Sequence, residues 1–220
     1  MVALDRRTHA QQDRQVPEQS APSWALTVAR TLRDWNLFYY RSARVYRCDT
    51  LDRREAGRAG VEVVEATEAD ASRLAPWQGS TPSEWLARLA NGHVCLIARS
   101  ESRDVGYMWI TRGMHYMQEV DHVVDVSHDP KGAYLHDAYV LPEARKKGVF
   151  HALMAFARAW ARARGLSTLY TAVALDNEIS LRAIESEGFK EVIAQVTLVR
   201  VATYEWKRVR RLSDVADVLA

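Results

Sequence analysis

The sequence predicts a mixed α/β fold, because strand and helix patterns alternate along the chain and two strand–turn–helix units stand close together in its second half. In the first unit, residues 133–140 are rich in β-forming side chains, and Pro142 ends the strand because proline cannot donate to a ladder. Apolar residues then recur at helical spacing from Gly148, and Gly165 lies where a helix C-cap belongs. The second unit is a strand over residues 169–175 followed by another helix.

The remaining elements are predicted from patterns of the same kind. Two β-rich runs on either side of residues 100–104 indicate an antiparallel pair, and the Ser-Thr-Pro-Ser-Glu run at residues 80–84 indicates a helix start. A long loop is expected over residues 113–131. The predicted order is strand 61–65, helices 68–74 and 82–89, strands 93–99, 105–111 and 133–140, a helix from Gly148, strand 169–175, a helix from Asn177 to Gly188, and a β-rich run over 191–206.

Composition divides the chain into four parts. The N-terminal extension is expected to contain a helix over residues 24–40 and a short strand over residues 43–50. The four predicted parts are a disordered polar tail (1–23), this extension (24–58), a core domain (59–212) and a C-terminal tail (213–220).

The overall composition is that of a globular protein of 220 residues. The formal net charge of +2 is too small to indicate a nucleic-acid partner, and none is expected. Cys48 and Cys95 are too isolated for a disulfide framework, and the sequence contains neither a membrane-spanning apolar run nor a signal peptide. These features predict a cytoplasmic protein, either a monomer or a homodimer.

A basic turn connects the first strand to its helix. Arg145, Lys146 and Lys147 stand directly before Gly148, and a helix N-terminus is itself a site for anions because its first backbone N–H groups are unpaired. Glycine would let a phosphate approach the backbone closely. Alone, the turn is equally consistent with a phosphorylated ligand and with a solvated basic loop.

A second motif decides between these interpretations. The loop reads Arg145-x-x-Gly148, and the next helix begins Asn177-x-x-Ser180 and ends in Gly-Phe. Together the motifs resemble the GNAT superfamily of acyl-CoA N-acyltransferases, whose loop is Gln/Arg-x-x-Gly-x-Gly/Ala and whose helix is Asn-x-x-Ala/Ser-x-x-x-Tyr. Two residues depart from this pattern, since Phe150 replaces a small residue and Ile184 replaces the tyrosine.

The resemblance implies a twisted, mostly antiparallel sheet that is splayed in the middle and flanked by helices. It also implies an acetyl-CoA or other acyl-CoA co-substrate and an amine acceptor. The residues implied in donor binding are Tyr139, Val140, Arg145, Lys146, Lys147, Gly148, Val149, Phe150, Asn177 and Ser180.

Catalytic candidates lie on the strand before the basic turn. An amine must lose a proton before it attacks, and His136 and Asp137 are the candidate bases, expected on opposite faces of the strand. Tyr139 is the first candidate to protonate the departing thiolate in place of the missing tyrosine, although Tyr134, Tyr170 or no acid at all stay open. Further bases or acceptor-binding groups are expected among Glu119, Asp121 and Asp125.

Residues 115–129, the acidic loop, contain four carboxylates and no Lys or Arg, which predicts a cationic amine acceptor. Their spacing matches no metal signature, so no metal is expected at His115, Asp121, His122, Asp125, His128 or Asp129. The basic aromatic residues 24–47 are expected to pack on the core, with peripheral membrane contact or partner docking as the alternative. An acyl-carrier-protein donor and a non-catalytic acyl-CoA sensor are the alternative functions.

Overall fold

The computed structural model describes residues 38–49 and 60–213. Ten strands and four α-helices are found there, and eight of the strands form one sheet in the order β10-β9-β1-β8-β7-β4-β3-β2. Every neighbouring pair is antiparallel except β7 and β8. The mixed α/β fold with a mostly antiparallel sheet is therefore confirmed. None of the helices in these residues combines the length and hydrophobicity that a membrane crossing requires.

The elements follow each other as predicted over most of the chain. The strands are β1 (Phe38–Asp49), β2 (Glu62–Glu65), β3 (Val94–Ser100), β4 (Arg103–Thr111), β5 (Met114–Met117), β6 (His122–Asp125), β7 (Gly132–Val140), β8 (Thr168–Ala174), β9 (Glu191–Val201) and β10 (Tyr204–Arg211). The helices are α1 (Ala71–Leu74), which lies between two 3-10 turns, α2 (Pro82–Ala90), α3 (Val149–Ala163) and α4 (Glu178–Ser186).

Strand β1 lies inside the sheet, between β9 and β8, and is antiparallel to both. The short strand predicted over residues 43–50 is thus the second half of a longer one. The helix predicted over residues 24–40 is wrong for Phe38 to Tyr40, which are extended and paired with β9; the rest of that helix lies outside the described residues. So do the predicted tail over residues 1–23 and, except for Ser213, the C-terminal tail.

Helices cover the two faces of the sheet at different places. Leu153 of α3 and Ile184 of α4 share one buried cluster with Leu96 and Leu135. Trp85 of α2 shares another with Ile97, Tyr107 and Trp109. Because neighbouring residues of a strand point to opposite faces, Leu96 and Ile97 show that α3 and α4 lie on one face and α1 and α2 on the other.

The acidic loop contains structure that the sequence did not predict. Strands β5 and β6 form a separate two-stranded hairpin within it, joined by a 3-10 turn at Gln118–Val120. Met117, Val120 and Val124 of this hairpin are buried against a core cluster of the main sheet. Burial of these apolar side chains keeps the segment folded, so the expectation of a long irregular loop is wrong.

The sheet splits between β7 and β8. The two strands pair only from Gly132 to Leu135 on β7, although β7 continues to Val140 and β8 to Ala174. We call the opening between residues 136–140 and 172–174 the strand gap. Next to it, the register of β4 with β7 shifts, and Asp137 takes a left-handed backbone conformation with φ +46°. The predicted splay is confirmed, and a β-bulge accompanies it.

Candidate active site

Backbone groups of β7 point into the strand gap. Leu141 donates its N–H to the Val105 carbonyl at 3.0 Å, on the β4 side. Because successive residues of a strand direct their backbone groups to opposite sides, the N–H and C=O of Val140 face the gap. Arg145 fits this direction, since its Nε donates to the Val140 carbonyl at 3.1 Å. The Val140 N–H is therefore oriented as a donor to a carbonyl oxygen inside the gap.

The basic turn lies at the mouth of the same gap. Gly148 is the N-cap of α3 with φ +81°, and the first helical hydrogen bond runs from the Ala152 N–H to the Gly148 carbonyl at 3.0 Å. The earlier N–H groups of α3, including those of Val149 and Phe150, point out of the helix start. The exposed side chains of Arg145, Lys146 and Lys147 surround them. Helix dipole and side-chain charge thus have the same sign here, which favours a pyrophosphate.

The two residues that depart from the family pattern both pack inward. Phe150 is half-buried against the cluster that α3 and α4 form with the sheet. Ile184 is 5% exposed in the same cluster. Phe150 therefore does not fill the basic turn with its ring, and Ile184 supplies an apolar core contact in place of a phenol.

Asn177 caps α4 in the way its position predicts. Its side-chain oxygen accepts a hydrogen bond from the Ser180 N–H at 3.1 Å. Asn177 is exposed and Ser180 half-buried, and both lie just beyond the end of β8. A role for these two residues in donor binding stays a prediction.

His136 is held in a buried stack of rings. Its side chain is 2% exposed. Trp109 and Tyr134 lie parallel to its ring within 16°, with centroids 6.3 and 6.0 Å away, and the His115 ring is 3.9 Å away at 30°. At the edge of the ring, Nε2 is 3.1 Å from His93 Nδ1. The stacked neighbours thus fix the plane of the imidazole and leave its two ring nitrogens directed toward His93 and Asp137.

Asp137 is the more accessible member of the pair. Its Oδ2 is 3.5 Å from His136 Nδ1 and 2.6 Å from Nη1 of Arg88, and its side chain is 31% exposed. The bulge turns both candidate bases to the face of α1 and α2, so the expectation that they lie on opposite faces is wrong. Burial alone raises the pKa of the Asp137 carboxyl, but contact with His136 and the Arg88 charge outweigh it, and the net pKa lies below its usual range.

The histidines around Asp137 are neutral at neutral pH. Burial lowers the pKa of His93 to about 4 and that of His115 to about 3. Burial also lowers the pKa of His136, against the opposing charge of Asp137. The ionised carboxylate therefore borders neutral imidazoles, and Arg88 is its cationic partner.

The ligand atoms of His115, His136 and Asp137 all lie within 4.8 Å of one another, close enough for three residues to hold a metal ion. Metal ligation requires lone pairs in the ring planes to converge on one point. The imidazoles of His115 and His136 instead meet nearly face to face. This arrangement suits hydrogen bonding along the ring edges better than coordination.

Tyr139 belongs to a trio of aromatic rings on the same face. The centroids of Tyr139, Tyr107 and Trp77 are each 6.1 Å from the other two. Tyr107 is 1% exposed, whereas Trp77 and Tyr139 are half-buried. The trio gives the site an apolar wall beside Asp137, and the role of Tyr139 as an acid stays a prediction.

The carboxylates of the acidic loop are largely engaged within the protein. Asp121 accepts a hydrogen bond from Tyr116 and lies 3.4 Å from Lys207 Nζ of β10. Asp129 accepts from the Tyr170 hydroxyl at 2.9 Å, and Asp125 accepts from the backbone N–H of Ser127. The loop itself has no basic residue, but β10 supplies one, so the charge available to an acceptor is smaller than the sequence indicates.

Sequence reasoning missed four residues of this site. Arg88 comes from α2, His93 from the turn before β3, and Tyr107 and Trp77 from separate elements. None stands in a motif, and the fold alone brings them to β7. The one available signal was the strand assignment of residues 105–111, which placed Tyr107 in the sheet.

Comparison with known proteins identifies the family of the chain. Residues 62–189 match the model of the acetyltransferase (GNAT) family, and the chain belongs to that family. It is 43% identical over 68 residues to aminoglycoside N(6')-acetyltransferase type 1 of Klebsiella aerogenes, a match that covers 31% of this chain and 44% of that protein. The chain thus spans less than half the length of this relative.

Two acetyltransferases of known structure match the chain at low sequence identity. The aminoglycoside 6'-N-acetyltransferase of Acinetobacter baumannii is 20% identical, with a TM-score of 0.48 over 60% of this chain and 92% of that one. The ribosomal-protein-alanine N-acetyltransferase of Brucella melitensis is 21% identical, with a TM-score of 0.46 over 64% and 99%.

Proposed function

We propose that the protein transfers an acetyl group from acetyl-CoA to a primary amine in a ternary complex. The observation that carries the proposal is the strand gap, whose β7 wall contains Asp137 and leads along the strand to the basic turn. Family membership and the short match to an N-acetyltransferase support the same reaction.

The donor would be held mainly by backbone groups. Its pyrophosphate would meet the first N–H groups of α3 and the side chains of Arg145, Lys146 and Lys147. Its pantetheine arm would lie in the strand gap, with the thioester oxygen at the Val140 N–H. The inward packing of Phe150 supports CoA over a carrier-protein donor, because the turn keeps room for a pyrophosphate.

The acceptor would approach from the side of Asp137. This carboxylate would attract the ammonium, which releases one proton to solvent to become the nucleophilic amine. The nitrogen then bonds to the thioester carbon and the oxyanion forms at the Val140 N–H. Asp137, positioned by His136, would accept the second N–H proton as the C–S bond breaks. Tyr139 would protonate the departing CoA thiolate, and Asp137 and Tyr139 would then exchange protons with solvent to return to their starting states.

Calorimetry with acetyl-CoA and thiol release over a panel of amines test the proposal together. We expect acetyl-CoA to bind and Asp137→Asn to lower kcat/KM for the amine by about 10²-fold or more, with unchanged acetyl-CoA affinity. Binding without transfer to any amine would instead identify an acyl-CoA sensor. If free CoA failed to compete with acetyl-CoA for binding, the hypothesis of a CoA-linked acyl donor would be wrong.

A further inference from the structure

The Arg88–Asp137 ion pair is a reachable, two-charge feature beside the strand gap. Nη1 of Arg88 lies 2.6 Å from Oδ2 of Asp137, and the two side chains are 30% and 31% exposed. The Arg88 guanidinium also lies 5.4 Å from the centroid of the Trp109 ring, which steadies it over the sheet. Both charges therefore stand at fixed places that a small molecule can touch.

The pair discriminates between classes of acceptor by charge. A simple ammonium that reaches Asp137 also approaches the guanidinium, and like charges repel in a partly desolvated site. An amine that carries its own carboxylate avoids this conflict. Its ammonium can face Asp137 while its carboxylate faces Arg88, so that the four charges alternate in sign.

We propose that the acceptor is a free α-amino acid, bound through its ammonium to Asp137 and through its carboxylate to Arg88. This inference rests on the proposed function and names its substrate class. The aromatic trio of Trp77, Tyr107 and Tyr139 lies on the same face and favours an apolar side chain. An amino-acid acceptor replaces the cationic acceptor that the sequence of the acidic loop predicted, because Lys207 and Tyr116 already bind the Asp121 carboxylate.

Matched acceptors test the inference on the unmodified protein. L-Phenylalanine, L-phenylalaninamide and phenethylamine share a ring and an amine but differ in the carboxylate. We expect kcat/KM for the amino acid to exceed that of the amide and of phenethylamine by at least about tenfold, because the latter two leave Arg88 without an anion. The same series built on leucine separates the effect of the ring from that of the carboxylate.

Variants assign the preference to Arg88. Arg88→Met should reduce the ratio between amino acid and amide to near one while acetyl-CoA affinity stays unchanged, and Arg88→Lys should keep part of the ratio. Arg164→Met is the matched control, since Arg164 lies at the far end of α3, beside Glu65 and over Trp160. It should leave the ratio as in the unmodified protein.

The outcomes separate the two proposals. Equal acetylation of all three acceptors, or a preference that survives in Arg88→Met, overturns the amino-acid inference and leaves N-acetyl transfer standing. Binding of acetyl-CoA with no acetylation of any acceptor overturns both. Preference for the amide, as expected for a peptide N-terminus, also counts against a free amino acid.

Discussion

At the residue scale, Gly148 serves two needs at one position. Its φ of +81° is a conformation that side chains with a Cβ rarely adopt, and it precedes the helix N–H groups that face the basic turn. Any substitution there combines backbone strain with a change in the anion site. A useful test must separate these two effects.

We expect Gly148→Asp to weaken acetyl-CoA binding by at least about tenfold, because a carboxylate would occupy the place that we propose for the pyrophosphate. Gly165→Asp, at the other end of α3, is the matched control, since Gly165 has φ +71° and open space around its Cα. Calorimetric titration of both variants decides the matter. Equal losses of affinity would mean that strain, and not the anion site, is responsible.

The buried histidines make stability depend on pH. The pKa of His93 and of His115 lies below the ordinary value of 6.5, at about 4 and about 3. Between pH 6.5 and these lower pKa values, the unfolded chain therefore binds more protons than the folded protein. The contribution of these histidines to stability is full above about pH 6.5 and decreases as the pH drops toward 4. Each histidine adds a slope of at most about 1.4 kcal/mol per pH unit.

Thermal unfolding between pH 7.5 and pH 4 should show this decline. His115→Gln is expected to flatten it, because glutamine does not titrate. His128→Gln is the control, since the side chain of His128 is 69% exposed. A decline that is as steep in the His115 variant as in the unmodified protein would rule out His115 as its source.

At the element scale, the close contact of β4 with β7 holds the bulge and the start of α3 together. A Cβ placed on Gly106 would stand 2.8 Å from the Tyr139 carbonyl oxygen and 3.1 Å from Val149. Tyr139 flanks the Val140 N–H, and Val149 is the first residue of α3. The close approach of β4 at Gly106 therefore sets the spacing between the Val140 N–H and the start of α3.

We expect Gly106→Ala to cost about 1–3 kcal/mol of stability and to lower both acetyl-CoA affinity and turnover, because β7 must shift away from β4. Gly113→Ala should be mild, since its added Cβ would meet only the Thr111 hydroxyl oxygen at 3.8 Å. Urea unfolding and calorimetry measure the two effects. Unchanged acetyl-CoA affinity in a destabilised Gly106→Ala protein would separate the contact from the donor site.

Elements that a local sequence pattern determines could be predicted from the sequence. Features that depend on tertiary contacts could not. Helix α3 and the basic turn were predictable because apolar spacing, Gly148 and Pro142 are local signals. The bulge at Asp137 was not, because it depends on the register between β4 and β7. The presence of Arg88 and His93 in the site could not be predicted either, since only tertiary packing brings them to β7.

At the scale of the whole molecule, the stability of the sheet depends on β1. Val45 is 0% exposed, and β1 joins β8 to β9 and β10. Without this strand the last two strands would have no connection to the rest of the sheet. The sequence did not predict this because an apolar strand pattern does not reveal which neighbours it pairs with.

We expect Val45→Asp to lower the free energy of unfolding by more than about 3 kcal/mol, because the substitution buries a charge without a partner. Val209→Asp is the control on the edge strand β10, where the native valine is 39% exposed, and it should cost less than about 0.5 kcal/mol. Denaturant titration of the two variants gives the comparison. Similar losses of stability would mean that β1 is not an interior strand.

The position of β1 also constrains how the protein is made. It is the first described strand to leave the ribosome, yet both of its partners, β8 and β9, come after nearly all of the other strands. Translation proceeds at about 5–20 residues per second, so the nascent chain spends seconds with both ladder edges of β1 unpaired. Closure of the sheet therefore waits until translation is almost complete, and a ribosome stalled before β8 would display a strand open to the wrong partners.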